Sequence, residues 1–143
     1  MFQGFKEISL CEGCCEVMVA EKQFENKVKS WLHQLQKEGQ PIKFIKIWGG
    51  GYQKAGIPDI IACINGIYFE IELKSSTGQP SDLQKYNLRL TNQANGFGIL
   101  LYPEGFEQFK NIVKGVINCN TRIQDLIALK AANSSTRCVI LTK

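Results

Sequence analysis

The apolar residues of this chain follow two spacings, one typical of helices and one typical of strands. Between about positions 20 and 37, and again over 106–116, they recur three and four residues apart, which predicts amphipathic helices with one buried face. The residues predicted to be buried are Phe24, Val28, Trp31, Leu32 and Leu35 in the first segment and Phe106, Phe109, Ile112, Val113 and Val116 in the second.

Strand patterns fill much of the sequence between these helices. The apolar run 42–48 predicts one strand. Two more strands are predicted on either side of Asn65-Gly66, the dipeptide most typical of a two-residue hairpin turn. If these residues form the turn, Ile64 pairs with Ile67 and the two strands run antiparallel.

Continuing this register outward brings two carboxylates together. Asp59 falls opposite Glu72, and because side chains alternate between the faces of a strand, Glu72 and Lys74 share one face, about 7 Å apart along the strand. Two close carboxylates repel each other unless a cation or a shared proton relieves the repulsion. Oxygen ligands favour Mg²⁺ or Mn²⁺, and a nearby lysine orients a water molecule or neutralises developing charge, so the pattern predicts metal-assisted hydrolysis. The ordinary alternative is a solvated Glu72–Lys74 pair on an exposed strand, with Asp59 as a turn residue after Pro58.

The segment after the hairpin predicts a helix and a buried strand. Ser81 and Gln84 have the spacing of a capping box, which starts a helix that runs to about position 94. Asn95-Gly96 is its stop signal, and the short apolar strand 97–102 follows, as in a βαβ crossover. The residues predicted to share one face of this helix are Leu83, Tyr86 and Leu90.

Together these elements predict an α/β domain with the order α-β-β-β-α-β-α, in which a central mixed sheet is flanked by helices. Residues 1–18 are predicted to form a loosely held N-terminal arm before the domain at 19–118. A C-terminal extension, 119–143, is predicted to pack on the same domain. Within it, helical spacing covers 121–132, and 137–142 could add an edge strand.

Four short motifs of the chain resemble the PD-(D/E)xK nuclease superfamily, which has a restriction-endonuclease-like core. They are Gly-Ile-Pro-Asp-Ile-Ile at 56–61, the Asn65-Gly66 turn, Glu-Leu-Lys at 72–74 and Gly-Gln-Pro-Ser-Asp-Leu-Gln at 78–84. The resemblance covers about residues 20–117 and is similar to the VRR-NUC domains found in phages and to archaeal-type Holliday junction resolvases. It implies a Mg²⁺-dependent DNA endonuclease that works as a homodimer on branched DNA such as a Holliday junction.

The resemblance also implies the roles of individual residues. Asp59, Glu72 and the backbone carbonyl of Leu73 would bind the metal, and Lys74 would position or activate the attacking water. Gln84 corresponds to a glutamine near the catalytic lysine. The capping box would use the same side chain, and one amide is not expected to serve both roles fully.

An acidic residue on the first helix completes the metal site in this family, and the chain offers Glu21 and Glu25. Glu25 is preferred, because apolar Val28 and Leu32 follow it three and seven residues later. Glu21 has a similar pattern and matches how many phage members begin, so the choice stays open. Either residue has an ordinary alternative role as a carboxylate that favours the positive end of the helix dipole.

The 143 residues carry a net charge of +4, which mildly favours polyanionic partners. Many of the lysines lie within the first 54 positions, where they would contact phosphates or form a solvated helix face. Three consecutive glycines at 49–51 open a loop that is predicted either to lie beside the site or to be a flexible connector. The residues predicted to contact DNA are Lys46, Tyr52, Gln53, Lys54 and Ser76.

The chain has no signal-peptide core and no apolar run long enough to span a membrane, so it is expected in the cytoplasm. If a phage encodes it, this is the cytoplasm of the bacterial host. The six cysteines are therefore predicted to be reduced thiols. Cys11, Cys14 and Cys15 suggest zinc, but no second pair accompanies them and His33 is the only histidine. Cys63 lies in an apolar strand and is predicted to be buried. No phosphate-binding loop typical of nucleotide hydrolysis occurs, so no nucleotide cofactor is expected.

Two other functions are compatible with these residues. A nuclease that cuts flaps or single strands would use the same side chains on another substrate. A non-catalytic nucleic-acid-binding or inhibitory protein would use the same scaffold, although decay of activity usually removes one of the residues Asp59, Glu72 and Lys74, and all three are present.

Overall fold

A computed structural model of the chain describes residues 12–49, 55–119, 128, 131–132 and 138–140. The helices are α1 (Glu12–Lys37), α2 (Asp82–Gln93) and α3 (Phe106–Asn118), and a short 3₁₀ turn (Pro103–Gly105) precedes α3. The strands are β1 (Ile42–Lys46), β2 (Ile60–Ile64), β3 (Ile67–Leu73), β4 (Phe97–Leu101) and β5 (Cys138–Ile140). Within these residues, no helix has both the length and the apolar character that crossing a membrane requires.

The strands form one mixed sheet in the order β1-β2-β3-β4-β5. β2 is antiparallel to both β1 and β3, β4 is parallel to β3, and β5 is antiparallel to β4. α2 connects the parallel pair, as the crossover between parallel neighbours requires. The structure therefore confirms the predicted α/β class and mixed sheet, and residues 138–140 form an edge strand within the segment proposed for one.

The hairpin turn forms where the sequence predicted it. Asn65 has φ 47° and Gly66 has φ 80°, and this left-handed conformation is the one that a two-residue hairpin turn needs at both positions. Ile64 pairs with Ile67, which confirms the predicted register. The Asn65 Nδ2 also donates to the carbonyl oxygen of Val116 at 2.9 Å, so the turn is tied to α3.

α1 and α3 pack against one face of the sheet through the apolar residues that the sequence predicted. Trp31 is partly buried, with its ring edge-on to Phe106 and Phe109 at centroid distances of 5.9 and 5.8 Å. α2 covers part of the opposite face through a small cluster of Leu88, Leu100 and Tyr102. The apolar residues recorded as buried in the two helices are Phe24, Val28, Leu32 and Leu35 in α1 and Phe106, Phe109, Ile112, Val113 and Val116 in α3.

The N-terminal boundary differs from the prediction. α1 runs from Glu12, so residues 12–18 of the predicted arm are helical and continuous with the first helix. Residues 16–20 are all exposed, so this part of the helix shows no buried stripe. Periodicity could therefore not reveal it.

One burial prediction is wrong, and the buried face of α2 is not the stripe that the spacing suggested. Leu83, Tyr86 and Leu90, predicted to share a face of α2, are all exposed, and the buried residues of this helix are Leu88 and Thr91. Cys63 was predicted to be buried and is exposed. It pairs with Tyr68 in the hairpin and so lies on the face opposite Ile64.

Some predictions fall outside the described residues. They include Tyr52, Gln53 and Lys54, Cys11 and most of the helix predicted over 121–132. Within that helix the described positions, 128 and 131–132, are helical.

Candidate active site

The end of the β2–β3 hairpin brings Asp59 and Glu72 to the same place. Ile60 pairs with Ile71, and the next step of this register puts Asp59 opposite Glu72, as predicted. The backbone N–H of Leu73 donates to Asp59 Oδ2 at 2.8 Å and fixes the orientation of this carboxylate. The predicted role of the Leu73 carbonyl stays a prediction.

Glu72 is a buried carboxylate with two donors on one oxygen. It is 3% exposed, and its Oε1 accepts hydrogen bonds from Lys74 Nζ at 2.7 Å and from Gln84 Nε2. Burial raises the pKa of Glu72 to about 7, the charge of Asp59 adds to the rise, and the Lys74 ammonium opposes it. Glu72 therefore exchanges a proton near neutral pH.

Lys74 carries a stable positive charge in this site. Burial works to lower its pKa, but the hydrogen bond and charge of Glu72, together with the charges of Glu21 and Asp59, raise the pKa above its ordinary value. An ammonium that keeps its proton is suited to orienting a water molecule and neutralising negative charge rather than to accepting a proton.

Gln84 makes the contacts that both of its predicted roles require. Its side-chain Oε1 accepts from the backbone N–H of Ser81 at 2.8 Å, while its backbone N–H donates to Ser81 Oγ at 3.2 Å, which completes the capping box at the start of α2. Its side-chain Nε2 donates to Glu72. One amide can make both side-chain contacts, because the cap uses the oxygen and Glu72 uses the nitrogen. The role of Gln84 in catalysis stays a prediction.

Glu25, the preferred helix carboxylate, is surrounded by lysines. Lys22 and Lys29 contact its Oε1 at 3.0 and 2.7 Å, and Lys46 contacts its Oε2 at 3.1 Å. Burial works to raise the pKa of Glu25, but the three ammoniums together lower it to about 2. Both oxygens of Glu25 are thus engaged by cations.

Glu21 faces the hairpin end instead. Its Oε2 accepts a hydrogen bond at 3.3 Å from the backbone N–H of Ser75, the residue that follows Lys74. Its negative charge contributes to the raised pKa of Glu72 and of Lys74. The structure thus favours Glu21 over Glu25 as the helix carboxylate that accompanies Asp59 and Glu72.

Lys46 links these two groups of carboxylates. Its Nζ contacts Asp59 Oδ1 at 3.2 Å as well as Glu25 Oε2 at 3.1 Å. The sequence predicted Lys46 only as a DNA contact, and this bridge between carboxylates was not predicted. The strand register offered the signal, because Lys46 pairs with buried Ile60 and so lies on the face that α1 covers. Ser76 is exposed after β3, and its contact with DNA stays a prediction.

The segment that carries Asp59 is held by α2, which the sequence did not reveal. Asn87 Nδ2 donates to the carbonyl oxygen of Gly56 at 2.7 Å. Gly56 has φ 83°, and a Cβ at this position would collide with Leu83 and Asn87. Glycine is therefore required three residues before Asp59 both by its backbone conformation and by the close approach of α2.

The donor atoms of the site fit Mg²⁺ in kind. Asp59, Glu72 and Glu21 offer only carboxylate oxygens, which this hard cation prefers. Among the described residues, no group of three or more His, Cys, Asp or Glu side chains already converges as a metal cage. Asp59 and Glu72 are each paired with a lysine ammonium, which compensates their charge in the arrangement described.

No protein-family model, curated protein or solved structure matches this chain. The function must therefore be argued from the geometry of the site and from its motifs.

Proposed function

We propose that this protein is a Mg²⁺-dependent DNA endonuclease with a restriction-endonuclease-like PD-(D/E)xK core. The observation that supports it best is the buried Glu72, 3% exposed, opposite Asp59 and hydrogen-bonded to Lys74. A solvated surface pair would not account for this burial. Because burying one carboxylate beside another costs free energy, a site that keeps buried Glu72 next to half-buried Asp59 is best explained by a function that uses their charge.

The proposed chemistry assigns a role to each of these residues. Asp59, Glu72 and Glu21 would hold Mg²⁺, with the Leu73 carbonyl as a further ligand. When bound, Mg²⁺ supplies positive charge that polarises a phosphoryl oxygen of the substrate. Lys74 orients the attacking water and offsets the negative charge that develops on the phosphate.

Two neighbouring groups keep the carboxylates in place. The N–H of Leu73 holds Asp59 Oδ2, and the amide of Gln84 holds Glu72 Oε1. Side chains that orient a metal ligand in this way typically change activity when they are removed, although they do not touch the substrate.

The proposed substrate is branched DNA, cut by a homodimer that places two sites on two strands. This part of the proposal comes from the resemblance to junction resolvases and VRR-NUC domains.

Cleavage assays test the proposal directly. The full chain is incubated with labelled four-way junction, flap, duplex and single-stranded DNA, with Mg²⁺, with Mn²⁺ or with EDTA. Asp59→Asn and Lys74→Met are expected to lower the cleavage rate by about a hundredfold or more. Glu107→Gln, which changes an exposed carboxylate that pairs with Lys110 on α3, is the control and is expected to cut like the wild type.

The pattern of cleavage separates the alternatives. Paired, metal-dependent cuts on the junction that both site variants lose would support a resolvase. Cuts confined to flaps or single strands would keep the nuclease and change its substrate. DNA binding without any metal-dependent cut would refute the enzyme and leave a non-catalytic nucleic-acid-binding protein.

A further inference from the structure

Trp48 lies at the edge of the candidate active site with its indole open to solvent. Its side chain is 74% exposed, the largest value among the large apolar residues that the structure describes. The residue before it is anchored to the site, because the N–H of Ile47 donates to the carbonyl oxygen of Asp59 at 2.8 Å. An exposed aromatic ring that follows directly after a residue hydrogen-bonded to a candidate metal ligand is available to bind a partner molecule.

A lysine ammonium contacts this indole. The Nζ of Lys22 lies 5.5 Å from the centroid of the Trp48 ring, within the range of a cation–π contact. The same ammonium belongs to the lysine cluster, which we define as Lys22, Lys29 and Lys46 around Glu25. Three ammoniums contact Glu25, and one of them, Lys46, also contacts Asp59, so the cations outnumber the carboxylates that they pair with and the cluster keeps positive charge for an anionic ligand.

The lysine cluster connects the indole to the proposed cleavage site. Lys22 contacts both Trp48 and Glu25, and Lys46 contacts both Glu25 and Asp59. A ligand that reaches from Asp59 to Trp48 would therefore follow a path lined by ammoniums. A nucleic acid strand has the matching chemistry, with a negative charge at every phosphate and a flat base at every nucleotide.

We infer that Trp48 and Lys22 bind an unpaired nucleotide of the substrate, with its base stacked on the indole and its phosphate near the lysine cluster. This inference rests on the proposed nuclease function and specifies its substrate class. The bases of a duplex are stacked on their neighbours, so their faces are not accessible to an exposed indole. The preferred DNA would then carry a single-stranded segment beside the scissile bond, as a flap does.

A protein partner fits this surface less well. A docking surface for another protein usually has an apolar centre with few charges. Here the Trp48 ring contacts the ammonium of Lys22, and Lys29 and Lys46 lie in the adjoining lysine cluster. The charge of the surface therefore favours nucleic acid.

Tryptophan fluorescence offers a direct test. The chain contains two tryptophans, and Trp31 packs against Phe106 and Phe109. The variant Trp31→Phe therefore leaves Trp48 as the reporter. Titration with oligo(dT) in EDTA, where metal-dependent cleavage cannot occur, is expected to quench its emission in a saturable way.

Affinity measurements by anisotropy complete the test. Trp48→Ala is expected to weaken binding to labelled oligo(dT) about tenfold and binding to a blunt duplex of equal length less than twofold. Trp48→Tyr, which keeps a stacking face, should recover most of the loss. Tyr86→Ala is the matched control, because Tyr86 is an exposed aromatic residue on α2 and should leave both affinities unchanged.

The outcomes separate this inference from the proposed function. The nucleotide site would be refuted if Trp48→Ala weakened binding to single strands and to duplex equally. It would also be refuted if the fluorescence were not quenched, or if quenching depended on the protein concentration rather than on the oligonucleotide concentration. If the wild type still cut DNA with metal, the nuclease would stand without it. Quenching and selective loss without cleavage on any substrate would support the nucleotide site and refute the nuclease.

Discussion

At the scale of single residues, Glu21 and Glu25 illustrate what sequence spacing can and cannot predict. The two lie four positions apart, so they share a face of α1 and have similar apolar neighbours in the sequence. The structure distinguishes them by the charges that reach them. Glu25 contacts three ammoniums, whereas Glu21 accepts the N–H of Ser75 beside Lys74. One of these ammoniums comes from β1, and no spacing within the helix could predict it.

Glu25 is expected to contribute to stability in a pH-dependent way. Folding lowers its pKa from 4.5 to about 2, so its charge stabilises the fold above about pH 5, and the contribution is lost as the pH falls through about 2. Glu25→Gln should lower the free energy of unfolding by about 1–3 kcal/mol at pH 7 and by progressively less in acid. Urea titrations between pH 7 and pH 2 measure the difference.

The control for this experiment is Glu16→Gln, which changes an exposed carboxylate on the same helix and should match the wild type at each pH. A destabilisation by Glu25→Gln that is equally large at pH 2 and pH 7 would contradict the assignment of the effect to charge.

Gln84 and Ser81 allow the cap of α2 to be separated from the support of Glu72. Ser81→Ala removes a capping partner but leaves the contact between Gln84 and Glu72, so it should cost about 1 kcal/mol of stability with little effect on cleavage. Gln84→Ala removes both interactions and should also lower metal-dependent cleavage about tenfold or more. Thermal unfolding and cleavage rates are measured on both variants. Equal cleavage by the two would mean that Gln84 acts only as a cap.

At the scale of elements, the hairpin was predictable and the buried face of α2 was not. A two-residue turn determines the register of both its strands, so Asn65-Gly66 was enough to place Asp59 opposite Glu72. In α2 the more apolar stripe is the exposed one. The helix packs so closely on β4 that a Cβ on Gly98 would overlap the backbone carbonyl of Leu88. Hydrophobic periodicity cannot predict close packing of this kind, because it depends on the absence of a side chain at Gly98.

Gly98 is therefore expected to tolerate no side chain. Gly98→Ala would push α2 away from β4 and should lower the free energy of unfolding by about 3 kcal/mol or prevent folding. Gly49→Ala is the control, because a Cβ there meets no atom within 4 Å, and its stability should stay within about 0.5 kcal/mol of the wild type. Circular dichroism during urea unfolding measures both. A Gly98→Ala variant as stable as the control would show that the spacing between α2 and β4 adjusts freely.

At the scale of the whole molecule, the candidate site joins parts of the chain that are distant in sequence. Glu21 comes from α1, Asp59 and Glu72 from the hairpin, and Gln84 from α2. The hairpin pair follows from local pattern, but the approach of α1 depends on how the core between helix and sheet packs. A ligand that binds these carboxylates only in the folded protein should therefore stabilise the complete fold.

Mg²⁺ is accordingly expected to raise the melting temperature, and by more at pH 8 than at pH 6. The reason is Glu72, whose pKa is raised from 4.5 to about 7. Its carboxylate is thus largely protonated at pH 6 and largely charged at pH 8, and a proton competes with the metal. At a hundredfold excess of Mg²⁺ over its dissociation constant, the melting temperature should rise by roughly 5–10 °C at pH 8.

Two variants two residues apart on β3, Glu72→Gln and Glu70→Gln, separate stabilisation by Mg²⁺ at the site from general binding of cations. Glu72→Gln removes the carboxylate that titrates and should abolish both the Mg²⁺ response and its pH dependence. The variant is also expected to be more stable than the wild type above about pH 7 without metal, because a raised pKa means that ionising Glu72 weakens the fold.

Glu70→Gln is the control. It changes a carboxylate that contacts Tyr68 and Thr91 outside the site, and it should keep the Mg²⁺ response. Differential scanning calorimetry in Mg²⁺ and in EDTA measures all of these shifts. If Glu72→Gln responded to Mg²⁺ as the wild type does, the metal would bind elsewhere, and the burial of Glu72 beside Asp59 would need another explanation.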